Sequence, residues 1–163
     1  MKKTLWIICF VLLVGCGARG PAYSEMATVE LNNKSAIIVF RKDQFVDGGS
    51  CYGVRINGKE IGVLANGGFL RVLVEPGQND ILIPHVNDKK LNIAVTAELG
   101  KTTYVEYSSL LEDIYIIPVG SFAATNARFH NTLAQVKSEY AISELQNLKD
   151  SSGKPSCMAT IRE

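Results

Sequence analysis

The residues of this 163-residue chain that could do chemistry are four cysteines, two histidines and sixteen carboxylates. A serine nucleophile needs a base and an orienting third group, commonly with the serine raised on a G-x-S-x-G elbow. Gly120-Ser121-Phe122 is not that elbow, and His85 and His130 are the only histidines that could serve as bases. Neither histidine stands at metal-ligand spacing, and there is no CxxC, so no metal site is expected. No phosphate-cradling loop, dinucleotide glycine pattern or HExxH occurs, so no cofactor is expected. The adjacent acids Glu112-Asp113 read as solvated residues in a turn between strands, although two carboxylates set across a β fold would suffice for a glycosidase. With 17 basic against 16 acidic side chains, the net charge of +1 lacks the surplus that nucleic-acid binding needs.

The cysteines sort by position. Residues 1–15 read MKKTLWIICFVLLVG: Lys2 and Lys3, an apolar run from Leu5 to Val14, then a small residue. A membrane-spanning helix takes roughly 20 apolar residues, and this run is half as long, which fits a secretory signal. Its end, Leu13-Val14-Gly15-Cys16, resembles the lipobox of bacterial lipoproteins. That resemblance implies diacylglycerol on the Cys16 thiol, cleavage between Gly15 and Cys16, and acylation of the new amino terminus with a palmitate-class chain. Each buried CH₂ contributes ~0.8 kcal/mol and stable anchoring takes about two chains, so such a Cys16 holds membrane lipid nearly permanently. Gly17 in place of Asp after the cysteine implies the periplasmic face of the outer membrane rather than the inner membrane. Removing 15 residues from 163 leaves 148, and losing Lys2 and Lys3 leaves 15 basic against 16 acidic side chains. With Cys9 in the signal and Cys16 lipidated, Cys51 and Cys157 remain. An even pair in an exported protein favours a disulfide, which would stabilise by up to ~4.7 kcal/mol for a loop of about 100 residues. The alternative is a buried Cys51 and a free Cys157 in an exposed tail.

The elements that must position these residues are strands. Ala36 to Phe40 is a wholly apolar β-rich run, the pattern of a strand covered on both faces. Cys51–Ile56 and Lys59–Leu64 flank Asn57-Gly58, whose residues suit the two positive-φ positions of a type I′ hairpin turn. Asn66-Gly67-Gly68 reverses into Phe69–Val74, Pro76-Gly77 makes a type II turn into Asp80–Ile83, and Leu91–Ala97 alternates as a half-buried strand. Thr102–Ser108 and Ile114–Ile117 read as two further strands, and Arg128–Val136 as a final one. Ala141, Ile142, Leu145 and Leu148 share one face of a helix capped by Ser138 and running to Lys149, expected over a sheet edge or an open end. The expected fold is therefore mainly β, an antiparallel β-sandwich of about eight or nine strands with one C-terminal amphipathic helix. The chain divides into a signal (1–15), a lipidated N-terminus and tether (16–33), the β domain (34–149) and a tail (150–163). Tyr52, Tyr104 and Tyr115 could gather on an outer face as a platform for glycan or peptide, but tyrosines also fill sheet faces because β geometry suits them.

In order, Arg-Lys-Asp-Gln-Phe (Arg41 to Phe45), Val-Arg-Ile-Asn-Gly-Lys-Glu-Ile-Gly (Val54 to Gly62), Val-Glu-Pro-Gly (Val74 to Gly77), Glu-Leu-Gly-Lys-Thr-Thr-Tyr-Val (Glu98 to Val105) and Ser-Glu-Tyr-Ala-Ile-Ser-Glu-Leu (Ser138 to Leu145) resemble the bacterial lipoprotein domain-of-unknown-function 2846 family. The likeness covers about Ser35 to Lys149, and its Asn-Gly-Lys and Pro-Gly turns are shared with PEGA-like surface modules. It implies a fold and an envelope location and assigns no catalytic residue. Two functions remain open: a non-enzymatic binding or assembly module meeting an envelope protein or glycan, and a small periplasmic hydrolase of envelope glycans or lipids.

Overall fold

The structure is a computed structural model. It describes residues 17–25, 30–45, 47–84, 90–119, 122–153 and 158–159, with backbone alone at 25, 115–119, 122–127 and 158–159. A short 3₁₀ turn η1 (Tyr23–Glu25) precedes β1 (Ser35–Arg41), β2 (Ser50–Ile56), β3 (Lys59–Leu64), β4 (Gly68–Val74), β5 (Gly77–Pro84), β6 (Lys90–Ala97), β7 (Thr102–Val119) and β8 (Phe122–Val136). Helix α1 (Ser138–Leu145) and the two-residue strands β9 (Lys149–Asp150) and β10 (Met158–Ala159) follow. One sheet has the order β8-β7-β1-β4-β9; in the other, β2 pairs with both β3 and β5, and β5 with β6.

The apolar run of β1 becomes the buried centre of the first sheet, with every residue from Ser35 to Arg41 out of solvent. The Asn57-Gly58 turn forms as expected, with φ of 52° and 77°, and Asn57 braces β5 by accepting from the Asp80 N–H at 2.9 Å. Between the sheets, Ile37, Val39, Val54, Leu64, Leu70, Ile81, Ile83, Val95 and Val105 pack into one core. On the outer face of the first sheet, Ile38, Phe40, Phe69 and Tyr104 meet Ala141, Leu145 and Leu148 in a second core.

Four expectations need correction. The first sheet is mixed rather than antiparallel: β1 lies antiparallel to β4 but parallel to β7, from Ala36↔Thr102 to Phe40↔Glu106, and β9 is parallel to β4. The reason is topological, because the chain lays down β2 to β6 before β7 re-enters beside the start of β1, where the Gly100 N–H donates to the Lys34 carbonyl at 3.0 Å. The second correction concerns Glu112-Asp113, which is not a turn. β7 runs unbroken for 18 residues, and a bulge between Leu111 and Asp113 absorbs the extra residue without ending the ladder. Third, α1 covers the outer sheet face rather than an edge, and stops at Leu145 because Lys149-Asp150 is taken up by β4. Its N-cap is Lys137, without a side-chain cap bond, and Ser138 is the first helical residue. Fourth, the segment expected to be a tether is docked from Gly17 to Tyr23. Ala18 donates to the Asn66 carbonyl and Gly20 to the Asp150 carbonyl, each at 3.0 Å, and Tyr23 stacks edge-on against Phe69 at 5.4 Å. A Cβ at Gly20 would stand 2.5 Å from the Asp150 carbonyl oxygen, so glycine is required there.

Candidate functional site

The most constrained polar site lies where β1 leaves the first sheet. Arg41 ends the apolar run of β1 and is fully buried. Its Nη1 donates to the Ser50 carbonyl at 2.7 Å, and its Nη2 to the Asp47 carbonyl at 2.6 Å and Asp47 Oδ2 at 3.3 Å. The Tyr52 hydroxyl donates to the same Oδ2 at 2.5 Å. The guanidinium lies 5.3 Å from the Tyr52 ring centroid and 5.7 Å from that of Tyr107, whose rings are 4.7 Å apart. Tyr107 in turn donates to Asn131 Oδ1 at 3.0 Å. A buried guanidinium is tolerable only when its donors are met and its charge is paired, as they are here save for Nε, which has no acceptor among the described residues. Burial holds both phenols above the ordinary tyrosine pKa, helped at Tyr52 by the bond to Asp47 and at Tyr107 by Tyr52. Two protonated phenols beside a paired arginine make no general base; the cluster fastens the loop ending at Ser50 against both sheets. Asp47 takes a left-handed φ of 61° to turn both its carbonyl and carboxylate inward.

Two open grooves lie elsewhere on the surface. One, of about 540 Å³, runs between the start of β7 and the junction of β8 with α1, lined by Glu98, Lys101, Thr102, Thr103, Gln135 and Ser138 among others. The second, of about 600 Å³, lies along the β2–β3 hairpin and β4, with Lys59, Glu60, Arg71 and Glu75 in its lining. Neither lining includes a histidine or cysteine. Glu98 is ion-paired with Lys101, and Glu75 with Lys34 at 3.2 Å. Hydroxyls, an amide and paired charges can hold a polar ligand by hydrogen bonds. At the foot of α1, Lys42 donates to the Tyr140 hydroxyl at 3.0 Å and pairs with Glu106 at 3.3 Å, ties that raise the Lys42 pKa.

The residues singled out in the sequence are dispersed. Tyr52 is buried between the sheets and Tyr104 beneath α1, so these two share no exposed face; the Tyr115 side chain lies outside the described residues. Cys51 is buried and disulfide-bonded. Its expected partner, Cys157, lies outside the described residues, as do Gly15, Cys16, His85 and Ser121. Directly after position 157, Met158 and Ala159 form β10 and pair with β2 in the register Met158↔Ser50 and Ala159↔Cys51. Among the described residues no group of His, Cys, Asp and Glu could hold a metal ion. His130 is exposed, opposite Leu110. Sequence reading passed over Arg41 and Asn131, although a charged residue closing a fully apolar strand is the signal that would have found the first. No known protein family, curated protein or solved structure matches the chain.

Proposed function

We propose that the chain is a lipoprotein of the bacterial envelope, held by acylated Cys16 on the periplasmic face of the outer membrane. Its two-sheet domain serves as a non-enzymatic binding or assembly module for an envelope protein or glycan. The carrying observation is Leu13-Val14-Gly15-Cys16 after a short apolar run, followed directly by residues docked on the domain, with the Ala18 N–H on the Asn66 carbonyl. A lipid on Cys16 would then hold the body close against the bilayer rather than at the end of a loose tether. In this reading the domain resembles the bacterial lipoprotein domain-of-unknown-function 2846 family, with a first sheet that is mixed. Cys157 is read as the disulfide partner of Cys51, one residue before β10.

Mass spectrometry of the chain purified from membranes tests the anchor. The expected result is a mature N-terminus at Cys16 carrying diacylglycerol and a third acyl chain, and release of a Cys16→Ser variant from the membrane fraction. An unprocessed, unacylated chain would overturn it. Crosslinking in intact cells then tests the module, and no recurrent envelope partner or bound glycan would count against it. A free-thiol count on the denatured mature chain should be zero, rising to one in Cys157→Ser.

A further inference from the structure

Every residue of β7 from Ala36's partner Thr102 to Phe40's partner Glu106 has β1 on one side and, from Tyr104 onward, β8 on the other. β1 ends at Arg41, but β7 runs on to Val119 and β8 returns from Phe122, paired from Leu110↔His130 through Val119↔Phe122 with one register shift at the Leu111/Asp113 bulge. The two strands therefore leave the sheet as a two-stranded arm. At ~3.3 Å per residue, the twelve steps from Tyr107 to Val119 make it about 40 Å long.

The composition of the arm changes along its length. Glu112, Asp113 and Arg128 stand about midway along it, yet beyond them, from Ile114 to Ala127, no Asp, Glu, Lys or Arg occurs in 14 residues. At the ordinary charged fraction of about 25%, three or four would be expected. Leu110 and Leu111 just before the acids and Ile114 just after them are exposed, at 57%, 39% and 62%, with no cover from the described residues.

Direction supplies the occupant. β4 is antiparallel to β1, so Gly68 lies beside Arg41, at the end of the sheet from which the arm departs. Gly17 and Ala18 sit at that same end, against Asn66, and Gly17 is the residue next to Cys16. The arm and the attachment point of the proposed anchor thus leave the domain together.

We infer that the uncharged end of the β7–β8 arm docks into the lipid bilayer to which Cys16 is anchored, as a second membrane contact; this rests on the lipoprotein reading above. The six residues from Ile114 to Val119 reach about 20 Å, short of the ~30 Å hydrocarbon core. Among the described residues β7 and β8 beyond Ser109 have no ladder but their own, and a two-stranded hairpin is not the closed barrel that spanning the core requires. It therefore lodges at the headgroup boundary, with Glu112, Asp113 and Arg128 on the aqueous side. Among the described residues no helix is long and apolar enough to cross a membrane.

The test uses the full-length chain, purified from membranes and reconstituted into phosphatidylcholine vesicles with or without brominated acyl chains. Trp6 is the single tryptophan and leaves with the signal, so Ile116→Trp and Leu99→Trp each report one site. Leu99 is 60% exposed and lies in the turn before β7, at the opposite end of the sheet. Ile116→Trp should show blue-shifted emission quenched by bromolipid, while Leu99→Trp stays water-like and unquenched. Water-like, unquenched emission from both would overturn the inference. So would blue-shifted but unquenched emission from Ile116→Trp, which means the arm is covered by protein, such as a second copy. The mass of the same preparation reports Cys16 processing separately. If the signal is retained, Trp6 contributes equally to both variants, and the difference between them still decides the arm.

Discussion

Between Tyr104 and Glu106, β7 has a strand on each side, and Val105 and Tyr107 are buried; beyond Ser109 its only ladder among the described residues is with β8, and Leu110 and Ile114 stand in solvent. β-Branched residues and tyrosine do not distinguish the two halves, since both contain them. What differs is whether a second sheet and α1 lie over the faces. Apolar surface stabilises a fold at roughly 25 cal/mol per Å² only when something removes it from water. The body satisfies that condition within the chain, and the arm does not.

Substitutions can break this contrast, and the largest effect should come at its boundary. Arg41→Ala strips the partner from a largely buried carboxylate and from two rings, and should cost about 3–5 kcal/mol, read as a lowered urea midpoint. If Arg41→Met combined with Asp47→Asn costs as much as the two changes summed, the cluster does not act as a unit. Next, isoleucine can be compared with itself. Ile38→Ala, in the core beneath α1, should cost about 2–5 kcal/mol, whereas Ile114→Ala should stay within about 0.5 kcal/mol in detergent-free solution. Equal losses would mean that the arm is packed in the folded chain.

The third expected effect is alkaline. Tyr52 and Tyr107 keep their protons in the folded state above the ordinary value of 10.0, chiefly through burial. Above that pH the unfolded chain binds fewer protons than the folded one, so the stabilisation is complete below it and declines as pH rises. Phenolate absorbance from these two should appear only together with loss of the folded signal. The smallest effect belongs to the exposed tie between α1 and the sheet. Tyr140→Phe should cost about 0.2–1 kcal/mol. Because the folded Lys42 pKa is raised above 10.5, that contribution is full below this pH and fades above it. A difference that persists unchanged into strong alkali would assign the loss to packing.

Much of the body was legible residue by residue. Asn57-Gly58 made its turn because only a few residues suit positive φ, and both adopt it, at 52° and 77°; Gly77 also has a positive φ, 119°, but as the first residue of β5. β1 declared itself by an unbroken apolar run. The arm was misread because a bulge and a turn share the same sequence signal, two adjacent acids in an otherwise apolar stretch. Arg41 escaped because its partners come from positions 47, 50, 52 and 107, whose convergence no local pattern records.

The sequence by itself determined most strands of the body, the Asn57-Gly58 turn, the amphipathic helix and the four residues that resemble a lipidation signal, since each rests on neighbours within a few positions. Tertiary structure alone decided that β7 lies parallel to β1, that Tyr52 and Tyr104 fall in different cores, and that the arm leaves the domain beside Gly17. Those outcomes depend on which strand edges meet across 60 or more residues, a pairing governed by the burial of whole faces rather than by any residue's own preference.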